Sequence, residues 1–120
     1  MASHNDIGEK GELIAFTFLK DEGYSVIEKN WRHKRDELDI IALKDGVLVF
    51  IEVKTRTNAY AGEPAAAVSR GKQKRILRAA NEFIKIFDGF ESIRFDIIGI
   101  ISNSNEKQIE HIEDAFYPTL

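Results

Sequence analysis

The stretch from Glu37 to Lys54 constrains this chain more than any other. Two apolar, strand-length runs, Glu37-Leu38-Asp39-Ile40-Ile41 and Leu48-Val49-Phe50-Ile51-Glu52-Val53-Lys54, flank a Lys44-Asp45-Gly46 turn. Asp-Gly favours a two-residue hairpin loop, whose type I′ turn needs positive φ at both central positions. Position 44 then faces 47, Asp39 faces Glu52, and Glu37 faces Lys54. Because side chains alternate along a strand, all four charges fall on one face, at the end away from the turn. A three- or four-residue loop would shift this register. Facing Cβ atoms lie about 4.5–5.5 Å apart, and like charges there repel. Asp39 opposite Glu52 is unfavourable unless one carboxyl is protonated or a cation sits between them. Two hard carboxylates, with backbone carbonyls and water, suit Mg²⁺, which keeps several waters of its own. Lys54, two residues beyond Glu52, is placed to touch a phosphate or a metal-activated water.

The residue types and spacing resemble the PD-(D/E)xK nuclease superfamily, with Asp39 as its aspartate and Glu52-Val53-Lys54 as its ExK. The surrounding chain narrows the likeness. Gly8-x-x-Gly11-Glu12-x-x-Ala15, Gly23-Tyr24, Asn30-Trp31-Arg32, Glu37-Leu38-Asp39 and Phe50-Ile51-Glu52-Val53-Lys54-x-Arg56 resemble the YraN-like family of bacterial proteins. Ala67-Val68, Lys72, Ala79-Ala80 and Arg94-Phe95-Asp96 add to it, so the resemblance spans roughly residues 7–100. Asp36 departs from the family, which usually has Gly before Glu-Ile/Leu-Asp. It adds a negative charge beside the candidate site, where it would alter metal affinity.

The resemblance implies a restriction endonuclease-like α/β fold and hydrolysis of phosphodiester bonds with Mg²⁺ or Mn²⁺. Asp39 and Glu52 would be metal ligands, the Val53 backbone carbonyl a third, and Lys54 the catalytic lysine. Glu12 would be a further ligand or base, and Gln73 the analogue of a helical glutamine in exonuclease-like members. The implied partner is nucleic acid, with DNA, structured or branched, as the expected substrate. The other reading is a catalytically silent nucleic-acid-binding or adaptor protein on the same frame. Superfamily members that cut duplexes often dimerise, so a homodimer or a protein partner is open to this chain.

Composition agrees with one globular domain over residues 1–120, of which 1–5 are expected to be disordered. The hydrophobic fraction is 43% and the charged fraction 31%, ordinary values for a globular protein. No apolar run approaches the ~18–20 residues of a membrane span, and the start lacks the apolar stretch of a secretion signal. With no cysteine, disulfides and thiolate zinc sites are excluded, and a reducing cytoplasm is the simplest home. The net charge of −3 is unevenly spread: residues 1–53 carry −4, residues 54–85 carry +6 and residues 86–120 carry −5. A negative whole with a local positive strip suits salt-sensitive phosphate binding; a solvated basic helix face is the alternative. Arg56, Arg70, Lys72, Gln73 and Lys74 are the candidate phosphate contacts. Arg32, Lys34 and Arg35 form a second basic rim beside Trp31, which either stacks on a base or packs into the fold.

Periodicity supplies the element order. A helix is predicted from Asp6 to about Glu22, with Ile7, Ile14, Ala15, Phe18 and Leu19 on one stripe and Gly23 as its stop. Tyr24–Trp31 reads as a strand, Arg32–Arg35 as a basic loop, then the hairpin over 37–43 and 47–54. Gly62 and Pro64 mark a loop over 55–68. A second helix runs over 69–87 from a Ser69 N-cap, ended by Gly89. Ile93–Ile101 is an apolar strand broken by Asp96, parallel to the Glu52 strand through a right-handed crossover, and Gln108–Ile112 is an edge strand. The order αβββαββ predicts a mixed sheet with a helix on each face. His4, His33 and His111 are isolated, and no zinc-hydrolase, serine-hydrolase or P-loop pattern occurs.

Overall fold

The hairpin turn forms as its residues require. In a computed structural model, which describes residues 4–57 and 68–117, Asp45 and Gly46 have φ of 50° and 79°. The paired strands follow in the predicted register, with Lys44 opposite Val47 and Ile40 opposite Ile51. Among the described residues the elements run α1 (His4–Asp21), β1 (Ser25–His33), β2 (Asp36–Lys44), β3 (Val47–Arg56), α2 (Arg70–Phe83), β4 (Ser92–Ser102) and β5 (Lys107–Ile112). This is the predicted αβββαββ order. The sheet is ordered β1-β2-β3-β4-β5, with β3 and β4 parallel and the other neighbours antiparallel.

Alternation along the central strands gives each helix an apolar floor. Ala15 and Leu19 of α1 pack on Ile40, Ala42, Val49, Ile51, Ile98 and Ile100. Ile76, Ala79, Ala80 and Phe83 of α2 pack on Ile41, Leu48, Phe50, Phe95 and Ile97 on the other face. Gly11 brings α1 close to the end of β3, since a Cβ there would collide with the Thr55 hydroxyl. Gly23 ends α1 at φ 90°, with Tyr24 N–H donating to the Leu19 carbonyl and Gly23 N–H to that of Lys20. That pair of bonds is the Schellman cap expected at a C′ glycine.

Boundaries differ from the sequence reading where local bonding overrides pattern. Helix α1 begins at His4, before the predicted Asp6 start. Arg32 and His33 belong to β1 rather than to a loop, because both pair with β2. Helix α2 stops at Phe83, not at Phe87: Lys85 and Ile86 N–H donate three residues back, to Glu82 and Phe83. Phe87 still stacks on Phe83 at 5.4 Å. Gly89, at φ 95°, therefore lies beyond the helix instead of ending it. The loop breakers Gly62 and Pro64 lie outside the described residues.

His111 is not isolated. Its Nε2 lies 2.7 Å from Asp96 Oδ2, while Arg94 donates to both Asp96 oxygens and Asp114 N–H to Oδ1. Asp96 is fully buried. Burial alone would raise its carboxyl, but His111, Arg94 and the Asp114 amide outweigh that and hold it below its ordinary value of 3.8. Arg94 also donates to Tyr24 Oη at 2.8 Å, so one carboxylate ties β4 to β5 and, through Arg94, to the segment after α1. Asp96→Ala should cost about 3 kcal/mol, because it leaves the half-buried Arg94 guanidinium, the His111 ring and the Asp114 amide without their shared acceptor. Denaturant titration at pH 7 measures this loss. In the wild-type protein this contribution is complete above pH 4 and fades as acid protonates Asp96.

Candidate functional site

The β2–β3 ladder ends at Ile40–Ile51. Beyond it β2 stays with β1, pairing Leu38 with Trp31, and β3 stays with β4 as far as Arg56. In an antiparallel hairpin closed by Lys44–Val47, alternate facing pairs exchange both backbone bonds. Ile40–Ile51 is such a pair, and Leu38–Val53 would be the next. The strands have parted there, and Val53 N–H donates instead to Asp39 Oδ2 at 2.9 Å. A side-chain carboxylate has replaced a lost ladder carbonyl. In extended backbone the N–H and C=O of one residue face the same strand edge, so the Val53 carbonyl is turned to the gap that Asp39 fills.

Asp39 and Glu52, predicted to face one another, are not ladder partners but do share a cleft of about 250 Å³. Lys72, Arg75 and Ile76 of α2 close it on one side, and Arg35, Asp36 and Glu37 on another. Burial, reinforced by the charges of Glu52 and Glu12, pushes the Asp39 carboxyl up to about 8, against the pull of Val53 N–H and Lys72. Glu52 is only 4% exposed. Its Oε1 lies 2.6 Å from Lys72 Nζ and 3.9 Å from Lys54 Nζ. Burial and then the neighbouring Lys72 lower the Lys54 ammonium, whereas Glu52 and Asp39 outweigh burial at Lys72 and raise it.

Glu12 reaches the same neighbourhood from α1. Burial raises its carboxyl, a bond with the Asn30 side chain lowers it, and the charges of Glu37 and Glu52 raise it further. Asn30 has φ 51°, and this left-handed residue interrupts the alternation of β1. Lys29 sits over Phe16 of α1 at 4.5 Å, yet Trp31 packs edge-on against Phe83 of α2 at 5.2 Å. Trp31 is half-buried and takes the packing role. Glu37 is not at Lys54; it pairs with Arg32 at 3.0 Å on the surface.

The predicted phosphate contacts divide. Lys72 is in the cleft, touching a carboxylate. Arg70 and Lys74 are exposed on α2. Gln73 turns away, donating from Nε2 to the Val68 carbonyl. Arg56 is half-buried, with an Nη2 that is buried and lacks a hydrogen-bond partner among the described residues. Asp36 does not leave a free charge beside the site: Arg78 Nε and Nη2 donate to its two oxygens at 2.6 and 2.8 Å. Two features were missed in the sequence. Arg75 lines the cleft, and Lys72 rather than Lys54 is the tight partner of Glu52. The helical spacing Lys72-x-x-Arg75-Ile76 was the available signal, since Ile76 was read as core and its neighbours on that face follow it inward.

The donor set fits a divalent cation of the Mg²⁺ class. Two carboxylates line one cleft, the Val53 backbone lies at its edge beside Asp39, and carboxylate and carbonyl oxygens are hard donors. Among the described residues no group of three or more His, Asp or Glu side chains converges, so water would complete the shell. Without a cation, the raised Asp39 carboxyl makes folding less favourable as pH rises: from about pH 4 to about pH 8 the folded protein holds a proton that the unfolded chain has lost. Asp39→Asn keeps an acceptor for Val53 N–H and removes that loss. Its melting temperature in EDTA should exceed that of the wild type by several degrees at pH 9, and the gap should be much smaller at pH 5. Calorimetry at the two pH values checks both halves.

No helix among the described residues is long and apolar enough to cross a membrane. The model of the family described as Uncharacterised protein family UPF0102 matches residues 11–100. A UPF0102 protein of Bacteroides thetaiotaomicron is 44% identical over 120 residues, covering 100% of this chain and 99% of its own length. One from Flavobacterium psychrophilum is 44% identical over 117 residues, covering 98% of each chain. Another from Chlorobium phaeobacteroides is 44% identical over 119 residues, covering 93% and 94%. A family match across the cleft-forming elements, joined by end-to-end similarity of this level, places the chain in the UPF0102 family.

Proposed function

We propose that the protein is a metal-dependent nuclease that binds nucleic acid and hydrolyses its phosphodiester bonds. One observation carries the reading: Asp39 and Glu52 of the PD-(D/E)xK pattern line one cleft at the parted strands, with Lys54 Nζ 3.9 Å from Glu52 Oε1 and α2 supplying Lys72 and Arg75. A Mg²⁺ or Mn²⁺ ion there would polarise a phosphoryl oxygen and lower the pKa of a bound water. Asp39, Glu52 and the Val53 carbonyl would hold the ion. Lys54, its ammonium 3.9 Å from Glu52, would donate to a phosphate oxygen or orient the attacking water. Arg75 and Arg35 would hold the flanking phosphates, and Glu12 would support the site through its charge from the α1 side. DNA, in particular branched or flapped DNA, is the substrate we favour, because a chain this small offers little surface for reading sequence.

A second reading, a nucleic-acid-binding or adaptor protein without catalysis, has one observation in its favour. Lys72 already neutralises Glu52 at 2.6 Å, so the cleft is balanced in part without a metal. Cleavage assays separate the two. Branched, single-stranded and duplex DNA and RNA are incubated with Mg²⁺, Mn²⁺ or EDTA, using wild type, Asp39→Asn and Lys54→Ala. The nuclease reading expects metal-dependent cleavage that falls on the order of 10²–10³-fold in each variant, the usual loss for a group acting on transition-state charge. Salt-sensitive binding with no cleavage under any condition would select the adaptor.

A further inference from the structure

Lys72 is oddly placed for a surface phosphate contact. Its Nζ is the close partner of a carboxylate that is 4% exposed, while the motif lysine, Lys54, stands off from the same oxygen at 3.9 Å. A divalent ion held by Asp39 and Glu52 would need that carboxylate and would repel an ammonium at contact distance. An ammonium held on Oε1 therefore competes with an ion for Glu52.

The helix limits how Lys72 can move. Its backbone is pinned, because Ser69 Oγ accepts the Lys72 N–H at 3.2 Å as the N-cap. Only the flexible side chain, 34% exposed, can swing. The first turn of α2 contains no acid and begins with Arg70, so a displaced ammonium finds no carboxylate on its own turn. The attractive group it can meet there is an incoming anion, which the helix N-terminus also favours. Charge balance points the same way. Lys54 and Lys72 stand beside Asp39 and Glu52, and an added divalent cation leaves an excess of positive charge that a phosphate would cancel.

We infer that Lys72 is the resident counter-ion of the cleft: a divalent cation displaces it from Glu52, and the freed lysine then binds a nucleic-acid phosphate. This makes metal and nucleic acid bind cooperatively, and it rests on the reading of Asp39 and Glu52 as divalent-ion ligands. Isothermal titration with Mn²⁺ and Mg²⁺ tests the first half, on wild type, Lys72→Met and Lys72→Arg. Lys72→Met should bind the ion on the order of tenfold more tightly than wild type, having no ammonium to displace. Lys72→Arg, able to grip Glu52 with two donors, should bind it no more tightly than wild type. Anisotropy of a labelled phosphorothioate oligonucleotide tests the second half. Wild type should gain affinity when Mg²⁺ replaces EDTA, and Lys72→Met should lose that gain. Equal metal affinity in wild type and Lys72→Met overturns the counter-ion role and leaves the metal site standing. Should Lys72→Met fail to fold, tighter binding by Lys72→Arg overturns it equally. No metal binding by any of the three proteins overturns the divalent-ion reading itself, and this inference with it.

Discussion

The parting of β2 from β3 after Ile40–Ile51 is the constraint on which the rest of the site depends. An ordinary hairpin would have extended its ladder to Leu38–Val53 and covered this end of the sheet. Here each strand keeps its outer partner instead, β2 with β1 and β3 with β4. The gap leaves part-buried backbone groups without ladder partners, which is costly unless they are bonded elsewhere. Asp39 answers that need through Val53 N–H, and the same geometry sets a carboxylate beside Glu52. The break in the sheet and the charge cluster are therefore one feature. A substitution that removes the Asp39 acceptor as well as its charge would change both together.

Much of this frame was legible because it is decided locally. Asp45-Gly46 fixes a two-residue turn, and the turn fixes the facing pairs of the hairpin as far as Ile40–Ile51. Gly23 and Ser69 mark helix ends by conformations that few other residues supply so readily. What stayed hidden depends on how distant pieces meet. Lys72 is legible as a basic residue in the first turn of a helix, but its contact with Glu52 depends on where α2 docks on β3. The same holds for His111, which looked isolated until β5 laid it against Asp96. Asn30 carries a different lesson. One positive φ inside a strand moves Trp31 from the face of Lys29 to the face of α2, and period-two patterning has no means of registering that step.

Asp36 shows how a charge can be present in the sequence and yet absent from the electrostatics of a site. Counted by position, it adds a third acid to Glu37 and Asp39. In the fold, Arg78 holds it by two short bonds, and that guanidinium, with Asp36's own burial opposing, keeps the carboxyl below its ordinary value of 3.8. The pair ties the start of β2 to the middle of α2, the helix that also carries Lys72 and Arg75. Where the related family usually has glycine, this chain has a strut between the two elements that form the cleft walls. Its effect on the site is one of position rather than of added charge.

The remaining charges do not balance so comfortably, and that imbalance is itself informative. Burial and two neighbouring acids hold Asp39 in a state where ionisation near neutral pH opposes folding, while burial and Lys72 hold down the Lys54 ammonium. Asp96 shows what this chain does when a buried carboxylate serves only the fold: it surrounds the group with an arginine, a histidine and a backbone amide until the charge is favoured. Among the described residues the cleft makes no such provision for Asp39, where the Val53 N–H bond and the charge of Lys72 do not offset burial and the neighbouring acids. Local rules are broken in this way chiefly where a ligand completes the arrangement. In the function proposed for this cleft, a divalent cation would supply what is missing, favouring the ionised form of both carboxylates and releasing an ammonium toward the substrate. A closed ladder would have satisfied Val53 without Asp39, and would have left no edge at which such an ion could be held.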